Sequence, residues 1–209
     1  KIYAPDLSLQ ASPNAMATAL ASIKVADDAS RVDWLRAAKS AYDASYRVKA
    51  QPGDLDMGEV LAHLRDVIPE NAIVTNGAGN FAIWPNKFLK FGPKGRLLAP
   101  QSGAMGYGVP AAIAAKLHDP SRFVLCFAGD GDFQMNGNEL GSAMQAGLPL
   151  IILIVNNGTY GTIRMHQERH YPERVSGTEL VNPDFATLAK AYGFYGCLLY
   201  TSDAADDFT

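Results

Sequence analysis

The stretch from Phe127 to Gly161, FAGDGDFQMNGNELGSAMQAGLPLIILIVNNGTYG, constrains the fold of this chain more than any other. Val124 to Ala128 and Leu148 to Val155 are apolar runs, the second broken only by Pro149 near its start. Runs of this length bounded by turn residues match strands buried on both faces of a parallel sheet. The first ends in Gly129-Asp130-Gly131 and the second in Asn156-Asn157-Gly158. Asn138 to Ala146 has helical composition and supplies the crossover that a parallel pair requires. Both turns are therefore predicted at the carboxyl ends of neighbouring parallel strands, where open α/β sheets bind ligands.

The chemistry of these turns suits a hard cation carrying a diphosphate. Asp130 offers a carboxylate, Asn157 an amide oxygen, and Thr159 a backbone carbonyl just beyond. Mg²⁺ prefers a few protein oxygens of this kind together with phosphate oxygens and water. Gly129 and Gly131 let the backbone approach a ligand, and amide N–H groups at a helix start can receive phosphate. Either tripeptide alone is common turn punctuation. Their strand–helix–strand setting, with Asn157 standing 27 positions after Asp130, makes them informative together.

GDG followed at this distance by NN resembles the signature of thiamine diphosphate-dependent enzymes, and the flanking residues resemble the acetolactate synthase and 2-oxo acid decarboxylase branch. The resemblance covers roughly Asp56 to Gly196, the cofactor-diphosphate domain of that family. It implies an α/β fold with an open, mostly parallel sheet and helices on both faces, here truncated at both ends. It also implies that Asp130, Asn157 and the Thr159 carbonyl hold Mg²⁺, which holds the diphosphate. Gly129, Gly131, Asp132, Phe133, Tyr160, Gly161 and Thr162 would complete the surroundings of the cofactor, with Gly161 and Thr162 on the phosphate side. Asn76, Gly77, Ala78, Gly79 and Asn80 match a diphosphate-contacting turn. In Gln101-Ser102-Gly103-Ala104-Met105-Gly106, Met105 matches the apolar wedge that folds the cofactor into a V, and Gly103 and Ala104 supply backbone contacts to the aminopyrimidine. A Met at such a place could equally be core filler.

A rival reading starts from the same region. Gly77, Gly79 and Ala82 follow the short strand Ala72 to Thr75 and match G-x-G-x-x-A, the dinucleotide fingerprint for NAD or FAD. That fingerprint needs an acidic residue about 20 positions further on. Arg96 to Pro100 contains none. A third reading is a non-catalytic relative of the thiamine diphosphate fold, which the intact Asp130, Asn157 and Met105 disfavour.

The remainder of the chain frames this unit. Lys1 to Pro52 reads as the tail of a central domain and a linker: a strand end at Ser8 to Gln10, a helix over Asn14 to Ile23 after Ser12-Pro13, and an amphipathic helix over Val32 to Lys49 carrying Trp34, Leu35, Ala38, Tyr42, Ser45 and Tyr46 on one face. Residues 53–196 form the cofactor domain: a helix over Met57 to Ile68, a small-residue helix over Ala111 to Leu117, a helix over Tyr160 to Glu168, and one capped by Asn182-Pro183-Asp184 that leads to Gly193 and a last strand. Residues 197–209 depart from the family's pattern and read as foreign sequence. Lys1 in place of Met marks the chain as a fragment.

Composition excludes some partners. Hydrophobic residues make up 48% and the net charge is −3, which argues against nucleic acid or an anionic membrane. No signal peptide or membrane-length apolar run is visible. Cys126 and Cys197 make no disulfide framework, so a reducing cytoplasm is the default. The resemblance further implies a 2-oxo acid substrate, decarboxylation or carboligation, and a homodimer or homotetramer. In such an assembly the pyrimidine domain of a second subunit brings the proton-relay Glu, so no catalytic residue is assigned here and this chain alone is expected to be inactive. FAD, which acetolactate synthases also bind, would rest with a central domain mostly outside this chain. Where acetolactate synthases read R-Q-W-Q, this chain has Arg164-Met165-His166-Gln167, which points away from true acetolactate formation.

Overall fold

The computed structural model describes residues 3–24, 28–51, 53 and 55–200. Pro52 and Asp54 of the expected linker, and residues 201–209 of the expected foreign tail, lie outside the described residues. The chain divides into two compact units, Lys1–Ser45 and Tyr46–Thr209.

The first unit holds α1 (Pro13–Ala21) and α2 (Ala29–Ser45). Ser12 caps α1, its Oγ accepting from Ala15 N at 3.3 Å, and Pro13 takes the first helical position, where a missing N–H costs nothing. Residues 8–10 form no strand, and the described residues of this unit contain no other strand to pair with them. The second helix stops at Ser45, four residues short of the expected end. The next residue, Tyr46, already belongs to the second unit, where its hydroxyl donates to the Phe88 carbonyl at 2.8 Å. The expected apolar stripe exists, yet Trp34, Leu35 and Tyr42 are each more than half exposed and neither helix buries a residue.

The second unit begins with α3 (Met57–Val67), β1 (Ile73–Asn76), α4 (Ile83–Phe88), β2 (Arg96–Leu98) and α5 (Gly108–His118). It continues through β3 (Val124–Gly129), α6 (Asp130–Asn136), α7 (Leu140–Gln145), β4 (Ile151–Val155), α8 (Gly161–His170) and α9 (Phe185–Ala191). The four strands form one parallel sheet in the order β2-β1-β3-β4. Gly129 is in register with Val155, so β3 and β4 end together, and β1 ends two residues earlier, with Asn76 opposite Phe127.

Alternation along the strands builds two cores. Ile73, Val124, Cys126 and Ala128 point to one face and pack with Val109, Ala112 and Ile113 of α5 and with Phe133, Leu140 and Ala143. Val74, Leu125 and Phe127 point to the other face and pack with Val60, Leu61 and Leu64 of α3 and with Phe88 and Leu89. Helices thus cover both faces, and every residue of β3 is buried. The apolar run of β3 predicted this.

Three local expectations are corrected, and one strand, β2, carries no expectation from the sequence. The run from Leu148 gives a strand only from Ile151, and that strand is half-buried throughout because it forms the edge of the described sheet. Gly129-Asp130-Gly131 is not a free turn: Gly129 is the extended N-cap, and the helix starts at Asp130, eight residues before Asn138. Two carboxylates in that first turn face the positive end of the helix dipole, which favours so early a start. The three-residue β2 carries no apolar alternation long enough to read, and forms because β1 offers its free edge. After α9, residues 194–200 form no strand, and no described strand pairs with them.

Cys126 lies fully buried and Cys197 exposed. Burial pushes the Cys126 thiol up to about 12. The folded chain therefore holds this proton more tightly than the unfolded chain, and the associated stability is lost as pH rises from the ordinary thiol range toward 12. A thiol-specific chromogenic disulfide at pH 8 is expected to titrate Cys197 in the folded chain and to reach Cys126 only after unfolding in urea.

Candidate functional site

The carboxyl ends of the strands lead into the turns of the site, and two buried carboxylates tie these turns together. Asp130 and Asp132 occupy the first turn of α6, each 3% exposed. Such depth is tolerable for a carboxylate only when N–H groups surround it. Asp132 Oδ1 accepts from Gly106 N at 2.8 Å and Ala78 N at 3.2 Å. Burial raises its pKa above the usual carboxylate range, against the pull of the N–H groups of Gly106, Ala78 and Gly129. Gly77 gives this carboxylate its space, since a Cβ there would overlap the Asp132 side chain.

Asp130 looks the other way. Its Oδ2 accepts from Gly158 N at 2.9 Å and from Asn182 Nδ2 at 2.7 Å. Among the described residues no donor reaches Oδ1. Gly158 can turn its amide toward Asp130 because it sits at φ +66°, a conformation that L side chains rarely adopt. Beside it, Asn157 Oδ1 accepts from Thr159 N at 3.2 Å, and the Thr159 carbonyl accepts from Gly161 N at 2.9 Å. The Asn-rich turn is stapled to residues 178–180: Tyr160 N donates to the Thr178 carbonyl, Leu180 N to the Gly158 carbonyl, and Thr159 Oγ1 to the Thr178 carbonyl.

The start of α8 closes toward the β1 turn, where Thr162 Oγ1 donates to Asn80 Oδ1 at 2.9 Å. Asn76 is buried and holds its own turn, donating to the Gly77 carbonyl and accepting from Asn86 Nδ2. Gly79 lies against the Phe81 ring, as does Gly129, and Gly131 lies against the Tyr160 ring. Phe133 points into the core, edge-on to Phe185 at 5.5 Å, so its side chain is spent on packing. Gly103 and Ala104 are exposed and Met105 half-buried, with open space around Gly103.

The site is therefore a set of backbone N–H groups and hard oxygens at the strand ends, with no cationic side chain in its bonding network among the described residues. Asp130 Oδ1, the Asn157 amide and the Thr159 carbonyl are the donor chemistry of Mg²⁺.

Residues 77–209 match the family model for the thiamine pyrophosphate enzyme C-terminal TPP-binding domain. This chain belongs to that family. It is 42% identical over 140 residues to the acetolactate synthase large subunit of Parasynechococcus marenigrum (strain WH8102), covering 66% of this chain and 22% of that protein. It is 32% identical over 199 residues to the acetolactate synthase isozyme 2 large subunit of Escherichia coli (strain K12), covering 94% of this chain and 35% of that protein. Among solved structures, the Rhodococcus jostii RHA1 thiamine diphosphate-dependent 4-hydroxybenzoylformate decarboxylase aligns with a TM-score of 0.69 at 31% identity, over 78% of this chain and 30% of that one. The chain thus spans a fifth to a third of the length of these relatives.

As a TPP-binding domain of the acetolactate synthase-like branch, the chain has no need of the dinucleotide reading. The geometry agrees, because the Ala78 amide in the G-x-G-x-x-A turn is engaged by Asp132. The family match runs to residue 209 and so takes in the stretch after Gly196. His166 is exposed and stacks on His170, with ring centroids 6.1 Å apart.

Sequence reasoning missed two participants. Asn182 read as part of a helix cap, and residues 178–180 carried no signal. Both lie more than 45 residues from Asp130, and nothing local marks them.

Replacing Asp132 by Leu is expected to leave the Ala78 and Gly106 amides without an acceptor, at about 1–3 kcal/mol each. Asn at the same position keeps Oδ1 as acceptor and is expected to cost much less. The midpoints of urea unfolding for the two variants check this.

Proposed function

We propose that this chain is the cofactor-diphosphate domain of an enzyme that decarboxylates 2-oxo acids, joins them to a second carbonyl compound, or does both, with thiamine diphosphate held through Mg²⁺. The observation that carries the reading is the state of Asp130. One carboxylate oxygen is fixed by two N–H donors, and the other faces no donor among the described residues, next to the turn that bears the Asn157 and Thr159 oxygens. The names of the relatives support it, one group being acetolactate synthases and another a thiamine diphosphate-dependent decarboxylase.

Asp130, Asn157 and the Thr159 carbonyl would hold the cation. The first turn of α8, which starts at Gly161 and Thr162, would receive the diphosphate through the N–H groups that a helix start leaves unpaired, the Gly161 N–H itself being donated to the Thr159 carbonyl. Gly103 and Ala104 would meet the pyrimidine through their backbone, and Met105 would pack between the rings. When bound, the cofactor supplies the electron sink that makes loss of carbon dioxide feasible. The chain's own share is to clamp, orient and keep water from the diphosphate end. A glutamate from the pyrimidine domain of a second subunit would hold the proton at the cofactor ring, which makes a homodimer or homotetramer the working unit. Among the described residues no helix is long and apolar enough to cross a membrane, and both cysteines are free. We place the enzyme in a reducing cytoplasm on that basis.

Calorimetric titration of thiamine diphosphate into the chain, with and without Mg²⁺, tests the site. Binding is expected to require Mg²⁺ and to weaken by more than about 100-fold in Asp130→Ala, beyond the loss typical of an outer-shell partner. Binding indifferent to Mg²⁺ and Asp130, or binding of NADH in its place, would overturn the proposal.

A further inference from the structure

Asp130 owes its orientation to a side chain from a distant part of the sequence. Asn182 precedes α9, and its Nδ2 donates to Asp130 Oδ2 at 2.7 Å and to Asn156 Oδ1 at 2.8 Å. Its own Oδ1 accepts from Gln134 Nε2 at 2.8 Å. These three bonds join the start of α6, the next turn of α6 and the carboxyl end of β4 through one amide.

The direction of each bond is forced. The Gly158 N–H can only donate, and it reaches both Asp130 Oδ2 at 2.9 Å and Asn156 Oδ1 at 3.2 Å. Both of those oxygens are therefore acceptors at that point. The Asn182 group that faces them must be its NH₂, which leaves its oxygen toward Gln134. Reversing the amide would set oxygen against oxygen at two contacts. The network has one consistent arrangement, and in it Asp130 Oδ2 is saturated by donors while Oδ1 is left to a cation.

We infer that Asn182 is a positioning residue for the cation site. It locks the Asp130 carboxylate in the rotamer that presents Oδ1, and Gln134 locks Asn182. The inference rests on the proposed Mg²⁺ role of Asp130. Hydrogen-bond partners of a metal ligand are the part of a site whose removal weakens the metal without deleting a ligand. Asn182 and Gln134 touch neither cofactor nor substrate in this scheme.

The test is the Mg²⁺ concentration that half-saturates thiamine diphosphate binding, read by calorimetry on the full chain and paired with thermal unfolding in the absence of Mg²⁺. Asn182→Ala is expected to raise the half-saturating Mg²⁺ about 10-fold or more, with cofactor affinity at saturating Mg²⁺ close to native. Gln134→Ala, at an exposed position that leaves the fold intact, is expected to raise it less and in the same direction. It decides the matter if Asn182→Ala does not fold. An unchanged Mg²⁺ requirement in these variants, with Asp130→Ala still weakening Mg²⁺-dependent binding, would overturn the inference alone and leave Asn182 a residue that only ties the loop before α9 to α6. An unchanged requirement in Asp130→Ala as well would overturn the cation site itself.

Discussion

Two largely buried carboxylates at the start of one helix set the terms for the rest of the structure. A buried carboxylate without N–H partners is intolerable, so the chain must bring donors to Asp130 and Asp132 from elsewhere. Asp132 draws the turn after β1 and the turn before α5 inward, through the amides of Ala78 and Gly106. Asp130 draws the turn after β4 and the loop before α9, through Gly158 and Asn182. The four segments that would surround a cofactor are thus fixed by hydrogen bonds to residues two positions apart. Asp132 takes its two amides on Oδ1 and Asp130 its two N–H donors on Oδ2.

The sheet makes this possible. With β3 buried on every residue and flanked by parallel neighbours in register, its last residue and that of β4 end side by side. The two cores anchor β3 from both faces, so the acidic turn cannot shift without disturbing both. A rigid strand end that presents a mobile-looking sequence such as GDGD is the arrangement in which backbone amides and oxygens can be placed to within the tolerance that a diphosphate and a cation demand.

Much of this was legible in the residues. The unbroken apolar run of β3, the small residues of α5 and the Asp184 cap of α9 each carry a local physical cause, and each element stands where that cause puts it. The GDG and NNG turns could be read as a joint site because their separation matches one strand–helix–strand unit. Other features had no local cause. The edge strand β2 exists because β1 needs a neighbour, and α2 stops at Ser45, the last residue of its unit. A strand expected after Gly193 is not formed, since strands require partners that periodicity cannot supply.

The sequence by itself determined the fold class and which oxygen-bearing residues stand in the turns at the strand ends, because these depend on residue type and on spacing within about thirty positions. Tertiary structure decided which N–H groups each carboxylate receives. Asp130 and Asp132 read alike as two acidic residues of one motif, and their division of labour follows from which amides reach each of them. Those amides come from Ala78, Gly106, Gly158 and Asn182, residues that folding alone brings together.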